Sequence, residues 1–160
     1  METSSLIPPT SSPHDSSILV VDDEPSVLAV AQAILQTIGQ SPATADNGED
    51  ARRWLETRVA QGKTVHLIIL DLTMPGGPSG FETLEALRAI HPEVPVIACS
   101  GYFQDSAREL CRGLGFTDIL SKPYRPEALL RIVRHHLLEA PPSSLADEER
   151  WPSKPQPVLH

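Results

Sequence analysis

The sequence predicts an α/β fold in which helices cover both faces of one sheet of five parallel strands. Four short apolar runs recur along the chain and are interpreted as strands: Ile18–Val21, Val65–Leu70, Val94–Cys99 and Thr117–Leu120. Their hydrophobicity is continuous, which is typical of strands that are covered on both faces in parallel sheets. A weaker segment, Ser41–Ala45, supplies the second strand. Helical stretches separate these segments, and this alternation predicts the doubly wound arrangement.

The first two helices flank the predicted second strand. Apolar residues repeat at helical spacing from Val27 to Ile38, and Gly39 is placed where a helix C-terminus is expected. The predicted apolar face of this helix consists of Val27, Val30, Ala31, Ile34, Leu35 and Ile38. The next helix opens at residues 46–48, and its predicted apolar face consists of Ala51, Trp54, Leu55 and Val59.

Three further helices follow the third, fourth and fifth strands. One runs from about Gly80 to Ile90 and stops before His91, because a residue that precedes proline avoids the helical conformation. Its predicted apolar face consists of Phe81, Leu84, Leu87 and Ile90. The next covers residues 105–112 and is ended by the glycines at 113 and 115. The last begins at Pro126, since proline suits the first position of a helix.

Length, charge and cysteine content limit the classes of protein to which the chain can belong. Its 160 residues suit one domain, predicted over residues 17–139, with disordered Ser- and Pro-rich tails at residues 1–16 and 140–160. The net charge of −8 argues against nucleic acid or anionic membrane as a partner and favours a partner with a basic face. No run reaches the roughly 18 apolar residues of a membrane span. Cys99 and Cys111 are expected to be buried thiols, and the protein is expected to be cytoplasmic.

Candidate functional residues gather at the ends of the predicted strands. The first strand runs into Asp22, Asp23 and Glu24, the third into Asp71, the fourth into Ser100, and the fifth into Ser121, Lys122 and Pro123. In an open α/β sheet, ligands bind at the carboxyl ends of the strands, near the point where the strand order reverses. Clustered carboxylates repel one another and therefore need a cation. Lys122 and a divalent ion are the candidates, and oxygen ligands favour Mg²⁺.

These motifs resemble those of the receiver domain of two-component response regulators, over roughly residues 17–139. The resemblance rests on four segments taken together: "ILVVDDEP", "LIILDLTMP", "CSGY" and "LSKPY". The residues of these segments are most similar to those of receivers fused to hybrid sensor histidine kinases. The resemblance implies a flavodoxin-like (βα)5 receiver fold, and it implies that Asp71 accepts a phosphoryl group from a histidine kinase or a histidine phosphotransfer protein. An unknown downstream protein and a possible homodimer on activation complete the implied partners.

The resemblance also assigns roles to the other strand-end residues. Asp23 and Asp71 match direct Mg²⁺ ligands, together with the backbone carbonyl of Thr73, whereas Asp22 matches the residue that holds the ion through water. Ser100 matches the hydroxyl that moves to bond the phosphoryl oxygen. Lys122 matches the lysine that pairs with the phosphoryl group, and its bond to Pro123 is expected to be cis. The general physics of phosphoryl transfer agrees, since the reaction requires positioning and charge neutralisation.

Two features depart from the commonest receiver pattern. Ile119 stands three residues before the lysine, where the family often has Tyr or Phe coupled to the switch hydroxyl, so an aromatic swing is absent there. Tyr102 is a possible substitute, although a tyrosine that packs on the surface is the simpler interpretation. The loop "MPGGPSGF" is one residue longer than the usual pattern, which predicts an altered shape beside the site without loss of function.

Two other functions remain open on the sequence alone. A Mg²⁺-dependent phosphohydrolase with an aspartyl-phosphate intermediate also uses strand-end aspartates and a lysine, although such enzymes usually carry a DxD pattern on the first strand. A receiver-like interaction module that no longer takes phosphate is the second alternative. The histidines carry less weight, because His66 is expected to be a core or edge residue and His135 with His136 to form a solvated face.

Overall fold

The computed structural model describes residues 16–101 and 106–138. It contains five strands and five helices in strict alternation, as predicted. The strands are β1 (Ile18–Val21), β2 (Ala43–Ala45), β3 (Leu67–Asp71), β4 (Val96–Ser100) and β5 (Asp118–Ser121). The helices are α1 (Pro25–Gln36), α2 (Gly48–Ala60), α3 (Gly80–Ile90), α4 (Ala107–Leu114) and α5 (Pro126–Leu138).

All five strands are parallel and lie in the order β2-β1-β3-β4-β5. The chain passes from β1 outward to β2 and then returns to the other side of β1 to form β3. The strand order therefore reverses between β1 and β3, which is where open α/β sheets place their ligand sites. In the register, Val21 lies opposite Leu70, so that Asp22 and Asp71 follow as neighbours at the carboxyl edge.

Two apolar layers hold the helices to the sheet. Alternate strand residues point to opposite faces, and both faces are fully covered. The layer beneath α2, α3 and α4 includes Leu19, Ile68, Leu70, Leu55 and Leu84. The layer beneath α1 and α5 includes Ile18, Val20, Ile69, Leu35 and Leu129. Because each strand feeds both layers, its apolar residues run without polar interruption.

The helix ends are fixed by local sequence signals. Pro25 opens α1, and Asn47 caps α2 by accepting a hydrogen bond from the Asp50 N–H at 2.8 Å. Ser79 and Glu82 form a reciprocal capping box at the start of α3. The bounds of α3 and the first residue of α5 match the prediction. The strands β3 and β4 begin two residues later than predicted and end one residue later, which places Asp71 and Ser100 within the strands.

The helical faces are narrower than the sequence predicted. Val30 and Val59 are 47% and 41% exposed, although both were assigned to apolar faces. Each lies one residue away from a buried position of its helix, Ala31 and Arg58 respectively, so that a large part of its side chain is in contact with solvent. Phe81 is 42% exposed and makes an edge-on contact with Phe116 of the layer beneath α2, α3 and α4, with ring centroids 5.9 Å apart.

Residues 1–15 of the first predicted tail and all of the second, residues 140–160, lie outside the described residues, as does Glu139 at the end of the predicted domain. Ser16, which the sequence assigns to the first tail, is buried, and its hydroxyl donates to the Ile18 carbonyl at 3.1 Å. Cys99 and Cys111 are both buried free thiols, as expected. Within residues 16–101 and 106–138, none of the helices combines the length and the apolarity that crossing a bilayer requires.

The contact between α2 and α3 requires a glycine at position 48. A Cβ atom at Gly48 would lie 2.2 Å from the Thr83 Oγ1 atom, which is buried. We therefore expect Gly48→Ala to lower the free energy of unfolding by about 1–3 kcal/mol, because the two helices must separate to admit the methyl group. Urea denaturation measures this change.

Gly113→Ala is the matched control, since a Cβ atom there meets no atom within 4 Å. Because alanine has a greater helix propensity than glycine, this variant should be as stable as wild type or up to about 1 kcal/mol more stable. Adding Thr83→Ala to Gly48→Ala should restore part of the loss. Equal stability of Gly48→Ala and Gly113→Ala would contradict the close packing.

Candidate functional site

Three aspartates meet at the carboxyl edge of the sheet, as the sequence predicted. Asp22 follows β1, and Asp71 is the last residue of β3; both side chains are buried, whereas Asp23 is exposed. One carboxylate oxygen from each lies within 4.8 Å of the others. Two buried acids and one exposed acid thus form a pocket of oxygen ligands that opens to solvent on the Asp23 side.

The Lys122 side chain supplies the positive charge in this pocket. Its Nζ atom lies 2.9 Å from Asp22 Oδ2 and 3.5 Å from Asp71 Oδ2, and the side chain is 19% exposed. The peptide bond between Lys122 and Pro123 is cis, as expected. Lys122 leaves the sheet directly after β5, and its N–H donates to the Ser100 carbonyl at 3.0 Å. Its nearer partner is Asp22. The sequence had indicated both residues as site candidates but not this pairing.

Backbone N–H groups hold the two buried carboxylates in place. The Glu24 N–H donates to Asp22 Oδ1 at 2.9 Å, and the Thr73 N–H donates to Asp71 Oδ1 at 3.1 Å. Each bond comes from two residues downstream, so the turn after each strand orients the aspartate itself. The outer oxygens, Oδ2 in both residues, remain directed toward Lys122.

The environment changes the pKa of both partners. Burial is the largest cause that raises the pKa of Asp71, and the negative charge of Asp22 adds to it, whereas the Thr73 N–H and Lys122 oppose the change. For Lys122, burial alone would lower the pKa, but the hydrogen bond and charge of Asp22, with the charge of Asp71, raise it overall. The two carboxylates therefore favour the charged form of the amine, whereas burial favours the neutral form of Asp71.

Ser100 ends β4 beside this pocket and is buried. It lies opposite Ser121 in the β4–β5 register, and its neighbour Cys99 lies opposite Asp71. Beneath the pocket, burial raises the pKa of the Cys99 thiol to about 12, and burial also raises the pKa of Tyr124. The pocket floor is therefore apolar and uncharged, which strengthens the electrostatic interactions above it.

The predicted departures from the receiver pattern fall on either side of the site. Ile119 is half-buried and packs against the layer beneath α4. Tyr102 lies outside the described residues. In the long loop after β3, Met74 is buried and anchors the segment, while Gly76 has a φ of 85°, a left-handed conformation that favours glycine. Residues 75–78 of this loop are exposed, so the loop extends into solvent beside the site.

His66, His135 and His136 lie at the opposite, amino edge of the sheet. His66 directly precedes β3, and its Nδ1 lies 2.9 Å from the Ser17 hydroxyl. His135 is exposed, as predicted, but His136 is half-buried. Burial, followed by the charge of His135, lowers the pKa of His136 to about 4, so the prediction of a solvated pair is wrong for this residue.

Comparison with known families agrees with this geometry. The family model described as "Response regulator receiver domain" matches residues 18–134. The chain belongs to this family. The match extends from the start of β1 into α5 and therefore includes Asp22, Asp71, Ser100 and Lys122.

Similar proteins include both short and long chains. An uncharacterized 14.6 kDa protein of Leptolyngbya boryana is 31% identical over 79% of this chain and 94% of its own length. The transcriptional regulatory protein CssR of Bacillus subtilis is 33% identical over 78% of this chain, but the match spans only 54% of CssR. Among solved structures, the receiver domain of NtrX from Brucella abortus has a TM-score of 0.64 at 26% identity, with 77% of this chain and 99% of that domain covered.

The raised pKa of Asp71 makes stability depend on pH. The folded state binds a proton to Asp71 more tightly than the unfolded state, whose pKa is close to the ordinary 3.8. The contribution of Asp71 to stability is therefore complete below pH 3.8 and is lost as pH rises through the folded-state pKa. We expect Asp71→Asn to raise the free energy of unfolding at pH 7 in EDTA, with the difference disappearing at low pH.

Denaturant unfolding across pH measures this difference. Asp46→Asn is the control, since it removes an exposed negative charge from the same edge of the sheet. If Asp71→Asn is no more stable than wild type at pH 7, the ionised carboxylate is already compensated by Lys122, and the stated balance of burial and charge is wrong.

Proposed function

We propose that this receiver domain accepts a phosphoryl group on Asp71. The donor is a phosphohistidine on a histidine kinase or a histidine phosphotransfer protein. The single observation that carries the proposal is the convergence of Asp22, Asp23, Asp71 and Lys122 in one pocket. In the transfer, the P–N bond of the phosphohistidine breaks, a P–O bond forms to an Asp71 carboxylate oxygen, and the imidazole leaves and takes up a proton.

Mg²⁺ is the ion that the donor set favours. Asp23 and Asp71 are proposed as direct ligands with the Thr73 carbonyl, and Asp22 as a ligand through water. Small hard ions of this kind bind one or two carboxylates and keep several waters and phosphate oxygens. When bound, Mg²⁺ neutralises charge on the transferring phosphoryl group. It would also offset the burial of Asp71 and, to a lesser extent, the negative charge of Asp22, which together raise the pKa of Asp71.

Lys122 is proposed to pair with the phosphoryl group after transfer. Its amine already lies within 3.5 Å of Asp71 Oδ2, so a small side-chain movement suffices. A phosphoryl group adds up to about two negative charges, which draw the amine away from Asp22. Ser100 is the second proposed donor to the phosphoryl oxygens, and its movement would displace the loop that follows β4.

The signal is proposed to leave through protein–protein contacts around α4, β5 and α5. The helix α4 buries only Cys111, so it is held less firmly than its neighbours and can respond to movement of the preceding loop. A homodimer on activation is supported by the beryllofluoride-activated NtrC4 receiver domain dimer, to which this chain is 28% identical with a TM-score of 0.65. We place the protein in the cytoplasm and propose no nucleic-acid or membrane partner.

The proposal assigns no reaction on external substrates beyond phosphorylation and dephosphorylation of Asp71. An aspartyl-phosphate phosphohydrolase would turn over many equivalents of a phosphate ester. A pure interaction module would take up no phosphoryl group at all. The amount of phosphate released per molecule of protein therefore separates the three functions. Catalytic release indicates a phosphohydrolase, stoichiometric release indicates a phosphoacceptor, and no release indicates an interaction module.

Incubation with acetyl phosphate and Mg²⁺, followed by intact mass spectrometry, tests the phosphoacceptor role. We expect the wild type to gain the mass of one phosphoryl group, and expect Asp71→Asn or addition of EDTA to abolish the gain. Glu24→Gln is the control, because its exposed side chain lies beside the pocket without contributing a ligand. An unmodified wild type, or an equal gain in Asp71→Asn, would reject the proposal.

Lys122→Ala separates phosphorylation from the response to it. We expect Asp71 to remain able to accept a phosphoryl group, while the amide chemical-shift changes around β4 and α4 become smaller, because no ammonium group remains to pair with the phosphoryl oxygens. Two-dimensional NMR before and after phosphorylation measures this effect. Lys63→Ala, at an exposed lysine far from the pocket, should respond as wild type does. Equal shifts in Lys122→Ala and wild type would contradict the proposed role.

A further inference from the structure

A groove on the outer side of β2 is separate from the phosphorylation pocket. It encloses about 630 Å³ and is lined by residues of α1, β2, α2 and the turn that follows α2. The lining includes Gln32, Thr44, Trp54, Thr57 and Lys63. The proposed phosphotransfer does not involve this surface, and membership of the family does not assign it a role.

The strand that borders the groove is an edge strand. Within the described residues, β2 pairs with β1 on one side and with no strand on the other. The Asp22 N–H donates to the Ala45 carbonyl, and hydrogen-bonding residues alternate along a parallel ladder. Thr44, between Ala43 and Ala45, therefore directs its N–H and carbonyl toward the groove. An extended chain could pair with these two groups.

The groove has the length of a short extended segment. Its lining on α2 reaches from Asp50 to Gln61, which corresponds to roughly 16 Å along the helix axis. An extended chain advances about 3.3 Å per residue, so about five residues fit. Trp54 forms the apolar middle of this surface, with the Arg58 guanidinium 5.5 Å from its ring centroid.

The charge of the groove is opposite to that of the whole chain. Arg53, Arg58 and Lys63 line it against one carboxylate, Asp50, whereas the chain carries a net charge of −8. Arg53 is 63% exposed, and its ion pairs with Asp50 and Glu49 lie at the surface, where such pairs are weak and exchange easily. An incoming carboxylate can therefore compete with these two internal partners of Arg53.

We propose that this groove binds an extended acidic peptide segment of a partner protein. The segment adds a strand beside β2 through the backbone groups of Thr44, places an apolar side chain on Trp54, and directs its carboxylates to Arg53 and Lys63. A second copy of this chain is a poor occupant of the same groove, because two copies placed edge to edge would bring like charges together.

Fluorescence anisotropy with a short labelled peptide that alternates glutamate with valine tests the charge requirement. The full unphosphorylated chain is used, so the outcome does not depend on the phosphoacceptor role. We expect saturable binding that is weakened at least tenfold by the double substitution Arg53→Glu with Lys63→Glu, and expect a peptide that alternates lysine with valine not to bind. Equal binding of both peptides, or no effect of the double substitution, would overturn the proposal.

Thr44→Pro tests the strand addition separately. Proline removes the N–H that points into the groove and leaves the β1–β2 ladder intact, since edge strands accept proline at such positions. We expect about tenfold weaker peptide binding than in Thr44→Val, which keeps the N–H. Circular dichroism and the acetyl phosphate reaction should be unchanged in both variants. Equal affinity of Thr44→Pro and Thr44→Val would overturn the pairing of backbones.

The acidic run Asp147–Glu149 of this chain is the alternative occupant. Replacing its three acids by lysine in the full chain should leave peptide affinity unchanged if the groove serves a partner. A marked increase in affinity would assign the groove to this run and overturn the proposal of an external segment.

Discussion

The contact between Lys122 and two buried carboxylates is the interaction on which the site depends. Asp22 and Asp71 are both removed from water, and a buried charge without a partner is costly. The Lys122 amine lies within 3.5 Å of both and reduces that cost. It does not remove it, since the pKa of Asp71 remains raised. A cation bound beside these carboxylates, as proposed, would reduce the remaining cost.

The sheet order creates this contact. The three residues come from the ends of three strands that are far apart along the chain, and β1 and β3 are neighbours only because β2 was placed on the outer side of β1. The same placement leaves β2 as an edge with an open groove. The reversal of strand order therefore produces both the acidic pocket and the basic groove, and their opposite charges keep the two surfaces chemically distinct.

Much of the fold and the composition of the site could be predicted from local signals. Continuous apolar runs identified most of the strands. Pro25 and Pro126 mark helix starts through their backbone preference, and Ser79 does so through its side-chain cap. Exposure was less predictable. Val30 and Val59 fit a helical apolar pattern, yet nearly half of each is exposed, because the width of a buried stripe depends on how closely a helix approaches the sheet.

The sequence by itself determined which residue types stand at the strand ends, since strand length and hydrophobicity are local properties. Only the tertiary structure decided which of those residues touch. The pairing of Lys122 with Asp22 as its nearer partner, the burial of His136 and the outward direction of the Thr44 backbone groups all depend on strand order and register. These are properties of contacts between segments distant in sequence, and no local pattern carries them.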